Sequence, residues 1–166
     1  MGSAEGAPKV AVVTGAAKGI WKGIAIELAK NNYHVAAVDV LEDGRSILEE
    51  LKPYGIKAQY HAADVSDEED VARTAKNIEA SLGTPDLLVN NAGIFPRASA
   101  IDMPYSLFQK VLHVNLGGAF LCSRHFAPGM LKKEGARPSS TLRREGRCKG
   151  RPTEATMRRR KRAFLH

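Results

Sequence analysis

The alternation of short apolar runs with stretches of helical periodicity is the feature that most constrains the fold of this chain. Four runs have the length and residue types of buried strands: VAVVT (10–14), HVAAVDV (34–40), KAQYHAADV (57–65) and DLLVNNAG (86–93), the last of which runs from a strand into a loop. After the first run, Ile20, Ile24 and Leu28 recur at helical spacing. Strands this apolar, separated by helices, predict an α/β fold in which a doubly wound parallel sheet is covered on both faces.

Helix boundaries are marked by residues that cap or interrupt helices. Ser66 with Glu69 three residues later predicts a capping box, and Gly83 predicts the end of the same helix. Pro104 predicts the start of a long helical region that reaches about Lys133.

Charge divides the chain after residue 137. Residues 1–137 hold 15 Lys and Arg against 16 Asp and Glu, whereas residues 138–166 hold 10 against 2. The second segment is also poor in apolar residues, which are needed to build a core. We therefore predict a folded domain over residues 1–137 and a basic, disordered tail over residues 138–166.

Neither a membrane nor a metal is indicated by the sequence. No signal-peptide pattern is present, and no apolar run approaches the roughly 20 residues that span a bilayer. Cys122 and Cys148 lack metal-ligand spacing and form no disulfide framework. We expect a soluble cytoplasmic protein without a bound metal.

The loop between the first strand and the first helix has the residues of a phosphate-binding turn. Gly15 and Gly19 allow a tight turn and let backbone N–H groups approach a pyrophosphate at the helix N-terminus. Asp39 ends the second strand, where a carboxylate can accept hydrogen bonds from ribose hydroxyls. Two glycines alone are equally consistent with an ordinary strand-to-helix turn, and Asp39 alone with a solvated strand end.

Further motifs follow that loop in order. TGAAKGI (14–20), DV (64–65), NNAG (90–93) and VN (114–115) together resemble the short-chain dehydrogenase/reductase family. The resemblance covers about residues 9–137, and it implies a Rossmann-like sheet, here with strands one to four present in the order 3-2-1-4 and the later strands missing. It also implies NAD as cofactor. The implied cofactor-binding residues are Thr14, Gly15, Lys18, Gly19, Ile20, Asp39, Asp64, Val65, Asn90, Ala92 and Gly93.

The resemblance implies a role for each part of that set. Thr14, Gly15, Gly19 and Ile20 would line the pyrophosphate. Asp39 would favour NAD over NADP, and Asp64 with Val65 would hold the adenine. Asn90, Ala92 and Gly93 would lie against the nicotinamide ribose. The alternative for the two asparagines of this last motif is that they only satisfy backbone groups at the strand end.

Catalysis in the family depends on an Asn, Ser, Tyr and Lys tetrad, in which Tyr is the general acid/base and Lys lowers its pKa. Asn115 matches the Asn, but no Tyr-x-x-x-Lys follows it, and Tyr105 is the last tyrosine of the chain. We therefore expect an oxidoreductase by lineage, acting on a secondary alcohol or ketone, whose present chain is inactive. The alternative is a non-catalytic dinucleotide-binding fragment. The small-molecule substrate stays open, and so does the homo-oligomer that the family implies.

The genetic code offers an explanation for the missing residues. Where the resemblance implies a fifth strand of the type Ile-Ile-Asn-Ile-Ala-Ser, the chain reads PSSTLRR from Pro138 to Arg144. Joining each codon's third base to the first two of the next permits those six residues in order. The same register permits Tyr at Thr156–Met157 and Lys at Arg160–Lys161, with the family's spacing. We interpret residues 138–166 as a frameshifted translation of a normal enzyme gene.

Two features have competing explanations. Trp21 occupies a glycine position of the family and differs from it by one base, so we expect it to weaken NAD binding; the alternative is an aromatic wall for another ligand. The run RRRKR (158–162) could instead bind nucleic acid or direct nuclear import. It lacks aromatic interleaving apart from Phe164, so we expect no nucleic-acid partner.

Overall fold

A parallel four-stranded sheet forms the centre of the computed structural model, which describes residues 8–133 except for the side chains of Ile20 and Trp21. The strands are β1 (Lys9–Thr14), β2 (Tyr33–Asp39), β3 (Ala58–Ala62) and β4 (Leu87–Val89). They lie in the order β3-β2-β1-β4, as the sequence predicts. Val12 of β1 is in register with Ala36 of β2 on one side and with Leu88 of β4 on the other.

Five α-helices connect or follow the strands. They are α1 (Ile20–Lys30), α2 (Ile47–Leu51), α3 (Glu68–Leu82), α4 (Tyr105–Leu112) and α5 (Gly118–Lys133). Short 3₁₀ turns flank α2 at Glu42–Ser46 and Lys52–Tyr54, and a π-helical turn, His113–Gly117, joins α4 to α5. The long helical region predicted from Pro104 is confirmed, with Pro104 as its N-cap and the π turn as an interruption.

The helices cover both faces of the sheet, so the doubly wound arrangement is confirmed. On one face, Phe126 and Met130 of α5 and Ile78 of α3 pack against Val12 and Leu88 of the sheet. On the other face, a second buried cluster joins helices α1 and α2 to the sheet. Its members include Val13, Ala25, Ala29, Val35, Ala37, Ile47 and Leu51. Each central strand therefore buries side chains on both faces of the sheet, which is why its sequence is a continuous apolar run.

The predicted start of α3 is wrong by one residue. The N-cap is Asp67, whose carboxylate oxygen Oδ1 accepts the N–H groups of Glu69 at 2.8 Å and Asp70 at 3.1 Å. Ser66 instead donates its N–H (2.9 Å) and its hydroxyl (2.7 Å) to Oδ1 of Asp64. The helix ends before Gly83, as predicted, because this residue has a left-handed φ of 92°.

Three sequence-based expectations fall outside what the structure describes. The disordered tail and the frameshift concern residues 138–166, and the effect of Trp21 concerns a side chain that is not among those described. Within residues 8–133, no helix combines the length and the apolar character needed to cross a bilayer. The same described residues hold no cluster of three His, Cys, Asp or Glu side chains suited to a metal.

Candidate functional site

The carboxyl ends of the four strands bring most of the predicted site residues to one edge of the sheet. Thr14 ends β1, Asp39 ends β2, Asp64 follows β3 by two residues and Asn90 follows β4 directly. The strand order reverses between β1 and β4, and ligands of open α/β sheets bind in the crevice at such a point. The topology alone therefore places the loop after β1 and the loop after β4 on opposite sides of one crevice.

Gly15 lies where the loop after β4 closely approaches the loop after β1. Its φ is +70°, and its N–H donates to the Val38 carbonyl oxygen at 2.8 Å. A Cβ at this position would lie 2.9 Å from Cα of Ala92 and 3.2 Å from Nδ2 of Asn91. Glycine is thus required twice, by its backbone angle and by the approach of the loop after β4.

Gly19 faces open space by contrast. It is the N-cap of α1 with φ 69° and ψ −150°, and no side chain caps the helix. A Cβ here would meet no atom within 4 Å. Free N–H groups at a helix N-terminus attract anions, so this end of α1 has the polarity to receive a phosphate group.

Lys18 lies beside this helix terminus on the protein surface. Its ammonium group is 3.4 Å from a carboxylate oxygen of Asp43, and both side chains are mostly exposed. The pair joins the loop after β1 to the 3₁₀ turn that follows β2. An exposed pair of this kind contributes little stability, so Lys18 is free to turn toward a phosphate at small cost.

Asp39 connects the same two loops through its carboxylate. Its Oδ2 accepts the Ala17 N–H at 2.9 Å, and its Oδ1 accepts the Leu41 N–H at 3.2 Å. A carboxylate oxygen can accept more than one hydrogen bond, so each retains capacity toward the crevice. The side chain is half-buried, which holds the negative charge in a fixed position at the end of β2.

Tyr60 of β3 contacts the turn that follows Asp39. Its hydroxyl donates to the Leu41 carbonyl oxygen. Burial, together with the negative charges of Asp39 and Asp43, raises the pKa of Tyr60 to about 12. Gly44 packs directly over this ring, since a Cβ there would clash with the Tyr60 hydroxyl and with Cβ of Ala17. Tyr60 therefore stays protonated and serves as a structural donor.

Thr14 connects the two sides of the crevice by hydrogen bonds. Its Oγ1 accepts the N–H groups of Asn91 at 2.9 Å and Ala92 at 3.0 Å, and it lies 3.3 Å from the Val89 carbonyl oxygen, to which it donates. Asn91 adds a bond from its Nδ2 to the Thr14 carbonyl oxygen at 3.2 Å. Thr14 is 2% exposed, so its side chain supports the crevice from below.

Asn115 fixes the far part of the loop after β4. Its Oδ1 accepts the Ile94 N–H at 2.8 Å and its Nδ2 donates to the Ile94 carbonyl oxygen at 3.0 Å. The side chain comes from the π-helical turn, a feature frequent at functional sites. Gly93 lies against it, since a Cβ on Gly93 would be 3.1 Å from Oδ1 of Asn115. Asn115, the residue predicted to take part in catalysis, thus holds the backbone of Ile94, which directly follows the residues predicted beside a nicotinamide.

Asn90 and Val65 point into the protein rather than along the crevice. Asn90 donates from Nδ2 to Oγ of Ser123 at 3.1 Å, while its Oδ1 is buried without a hydrogen-bond partner among the described residues. Val65 is buried and packs against Gly118, where a Cβ would lie 2.6 Å from Val65 Cγ2. Asp64 has its Oδ1 occupied by Ser66 but remains half-buried at the edge of the sheet.

Two residues that position this site were absent from the predicted set. Asn91 and Ile94 carry the contacts to Thr14 and Asn115, respectively. The repeated asparagine in NNAG was the available signal for Asn91, whereas Ile94 takes part only through its backbone, which no side-chain pattern reveals.

The family model described as short chain dehydrogenase matches residues 9–137. An uncharacterized oxidoreductase of Thermotoga maritima is 35% identical over 128 residues, which are 76% of this chain and 50% of that protein. The 3-oxoacyl-[acyl-carrier-protein] reductase of Staphylococcus aureus is 35% identical over 127 residues, 75% of this chain and 52% of that protein.

Solved structures give the same result for the fold. An NAD+-bound xylitol dehydrogenase superposes with a TM-score of 0.72 at 30% identity, covering 75% of this chain and 49% of the other. The L-sorbose reductase of Gluconobacter frateurii, in complex with NADPH and L-sorbose, gives 0.73 at 29% identity, with 76% and 49% covered. The chain spans about half the length of the relatives it matches.

Proposed function

Because the chain belongs to the short chain dehydrogenase family, we propose that it binds NAD(H) in the crevice between β1 and β4, and that it derives from an oxidoreductase acting on a secondary alcohol or ketone. The observation that carries this proposal is the convergence at one sheet edge of the left-handed Gly15, the open helix terminus at Gly19 and the fixed carboxylate of Asp39. The same proposal places the chain in the cytoplasm.

The residues present fit a dinucleotide. A pyrophosphate would lie at the N-terminus of α1, where Gly19 leaves room and Lys18 supplies a positive charge. The adenosine ribose would lie near Asp39, with Asp64 and Val65 toward the adenine. The loop from Asn90 to Gly93 would support the nicotinamide ribose, with Asn115 holding that loop in place.

We propose NAD rather than NADP as the cofactor because of the charge at the end of β2. The Asp39 carboxylate can accept hydrogen bonds from ribose hydroxyls but would repel a 2′-phosphate. Backbone N–H groups of Ala17 and Leu41 hold it in position, so it cannot swing away cheaply. The relatives with bound cofactor include one with NAD+ and one with NADPH, so the preference of this chain depends on its own residues.

The chemistry requires a hydride, which a bound nicotinamide supplies, and a proton, which the protein must supply. Residues 106–166 contain no tyrosine that could act as the general acid/base. Tyr60 is no substitute, because its hydroxyl is engaged with Leu41 and burial raises its pKa. We therefore propose that the chain as written binds the cofactor without turning over a substrate.

Cofactor titration tests the binding proposal. We expect the full chain to bind NADH at least roughly tenfold more tightly than NADPH, measured by calorimetry, since one charge repulsion of about 1.4 kcal/mol suffices for that ratio. Asp39→Asn is the matched control, because it keeps the shape of the side chain and removes its charge. The Asp39→Asn variant should have a smaller ratio of the NADPH Kd to the NADH Kd than the parent chain. A folded chain that binds neither cofactor, or that prefers NADPH, would refute the proposal.

Turnover is measured separately, so that loss of activity is not confused with loss of binding. With NADH bound, oxidation on a panel of small ketones should stay at the background rate. Measurable turnover would show that another group donates the proton. Trp21→Gly should strengthen NADH binding, because glycine is the family residue at this position and a bulky residue at a tight site typically costs about 1–3 kcal/mol. Resequencing the coding DNA tests the frameshift, which requires the family's Ser and Tyr-x-x-x-Lys in the shifted register.

A further inference from the structure

Tyr60 connects the interior of the sheet to the turn that follows β2. It lies in β3, in register with Ala37 of β2, and it is 8% exposed. Its ring belongs to the buried cluster that joins α1 and α2 to the sheet, but its hydroxyl donates to the Leu41 carbonyl oxygen. A phenylalanine would supply the same apolar ring, so packing alone does not account for the hydroxyl.

Leu41 lies in the β2 turn, which we define as residues 40–46. Its carbonyl oxygen accepts the Tyr60 hydroxyl and also the Gly44 N–H at 3.2 Å. Its own N–H donates to Oδ1 of Asp39 at 3.2 Å. Leu41 is thus bound through its carbonyl to β3 and through its N–H to the carboxylate that we propose selects the cofactor.

Gly44 holds the same turn against the loop after β1. It is buried, and a Cβ at this position would lie 2.6 Å from Cβ of Ala17 and 2.7 Å from Cζ of Tyr60. The N–H of Ala17 donates to Oδ2 of Asp39 at 2.9 Å. Both oxygens of Asp39 are therefore bound by backbone groups that lie one contact away from Tyr60.

The first part of the β2 turn has little packing of its own. Val40 is 63% exposed and Leu41 is 36% exposed, although both side chains are apolar. Contacts of their side chains therefore contribute little to holding this segment. The backbone hydrogen bonds of Leu41 carry most of that task, and the Tyr60 hydroxyl is the one that reaches a different strand.

We propose that Tyr60 is a positioning residue for cofactor selectivity: through Leu41, its hydroxyl fixes the Asp39 carboxylate where it accepts ribose hydroxyls and repels a 2′-phosphate. This inference rests on the proposed function, since it concerns the same site. Repulsion between two charges falls as their distance grows, so a carboxylate excludes a phosphate only while it is kept close to it. A β2 turn that is free to move outward would let the two charges separate.

Calorimetric titration of the full chain with NADH and with NADPH tests the role of the hydroxyl. Tyr60→Phe should lower the ratio of the NADPH Kd to the NADH Kd about three- to tenfold, the effect of one hydrogen bond. Tyr33→Phe is the matched control, because Tyr33 begins β2 at the opposite end of the sheet, and it should leave the ratio unchanged. In an Asp39→Asn background, Tyr60→Phe should change the ratio no further, since the charge that it positions is gone.

A second variant displaces the same turn without removing the hydroxyl. Gly44→Ala places a Cβ against Ala17 and the Tyr60 ring, so it should also lower the ratio. A purely structural role of Tyr60 would instead reduce both affinities by the same factor and leave the ratio as it is in the parent chain.

Hydrogen exchange gives a readout that needs no cofactor. The amides of Leu41 and Gly44 should exchange about three- to tenfold faster in Tyr60→Phe than in the parent chain, because the turn opens more often. Unchanged exchange of these amides, an unchanged Kd ratio in a chain that binds NADH, or a further decrease of the ratio in the Asp39→Asn background would overturn the role of Tyr60 alone. A folded parent chain that binds neither cofactor would refute the proposed function, and the selectivity role with it.

Discussion

Replacing Thr14 by Val tests whether one hydroxyl holds the two sides of the crevice together. Valine has the same shape, so the change removes the acceptor for the Asn91 and Ala92 N–H groups and the donor for Val89 without creating a cavity. These groups are only partly buried, which places the cost of each unpaired N–H near the lower end of the usual range, about 1–2 kcal/mol. We expect a total loss of about 2–4 kcal/mol, a large fraction of the 5–15 kcal/mol typical of a domain.

Thr14→Ser is the matched control. Serine keeps the hydroxyl and loses one buried methyl group, which costs about 1 kcal/mol. In urea unfolding, the Val variant should have a midpoint about 1–2 M below that of the parent chain, and the Ser variant should lie between the two. A Val variant as stable as the Ser variant would show that the hydroxyl does not carry the connection, and the reasoning would fail.

Three further predictions concern other parts of the same framework. Gly15→Ala should lower the free energy of unfolding by about 2–4 kcal/mol, since both its φ and the backbone contact are unfavourable, whereas Gly23→Ala in the open face of α1 should raise it by about 0.5–1 kcal/mol; calorimetry that finds equal effects would contradict this. Asp86→Asn should cost about 1–2 kcal/mol in urea unfolding, because the carboxylate accepts a β1 N–H and pairs with a lysine of α5; no loss would refute this role. Burial raises the pKa of Cys122 to about 12, so its thiol should not react in the folded chain at pH 8; in a Cys148→Ser background, labelling by a thiol reagent should proceed only as fast as global unfolding exposes Cys122, and rapid labelling of the folded chain at pH 8 would contradict the burial.

The arrangement of the sheet was predictable because it depends on features that a sequence carries directly. Runs such as HVAAVDV are apolar on both faces, as expected for a strand of a covered parallel sheet, and the observed β2 lies within one residue of the predicted run. Strand ends were less predictable. The run 86–93 was predicted as a strand leading into a loop, but β4 pairs only over Leu87–Val89, because the residues after Val89 turn toward Thr14.

The N-terminus of α3 shows why local patterns give such boundaries only approximately. Ser66 and Asp67 are both good N-cap residues, and the capping-box pattern favours Ser66. The choice is made by Asp64, which binds the Ser66 hydroxyl and N–H and leaves Asp67 to cap the helix. The capping-box pattern does not contain the contact between Asp64 and Ser66, so it cannot show that Ser66 is already engaged.

The candidate site was predictable in position and less so in detail. Parallel strands bring their carboxyl ends to one edge, so Thr14, Asp39 and Asn90 were expected together. Whether a polar side chain in that edge faces a ligand or the protein backbone depends on the path of the opposite loop. Thr14 and Asn115 both spend their hydrogen bonds on backbone groups of the loop after β4. Their motif positions are identical under either role, so the sequence could not distinguish them.

These internal bonds bear on how far cofactor binding and catalysis can be separated. The loop after β4 is held from one side by Thr14 and from the other by Asn115, and both clamps lie within residues 14–115. The crevice is therefore shaped before any later strand is added, and binding in our proposal needs no further residue. Proton transfer does need one, and a positioned general acid contributes about 10²–10⁴-fold to a rate. A chain without the catalytic Tyr and Lys should consequently show no turnover. Its affinity for NADH should still be high enough to measure in the titrations of the Trp21→Gly and Asp39→Asn variants. A chain in which both properties vanish together, although it folds, would mean that the crevice depends on the second half of the fold and not on its own clamps.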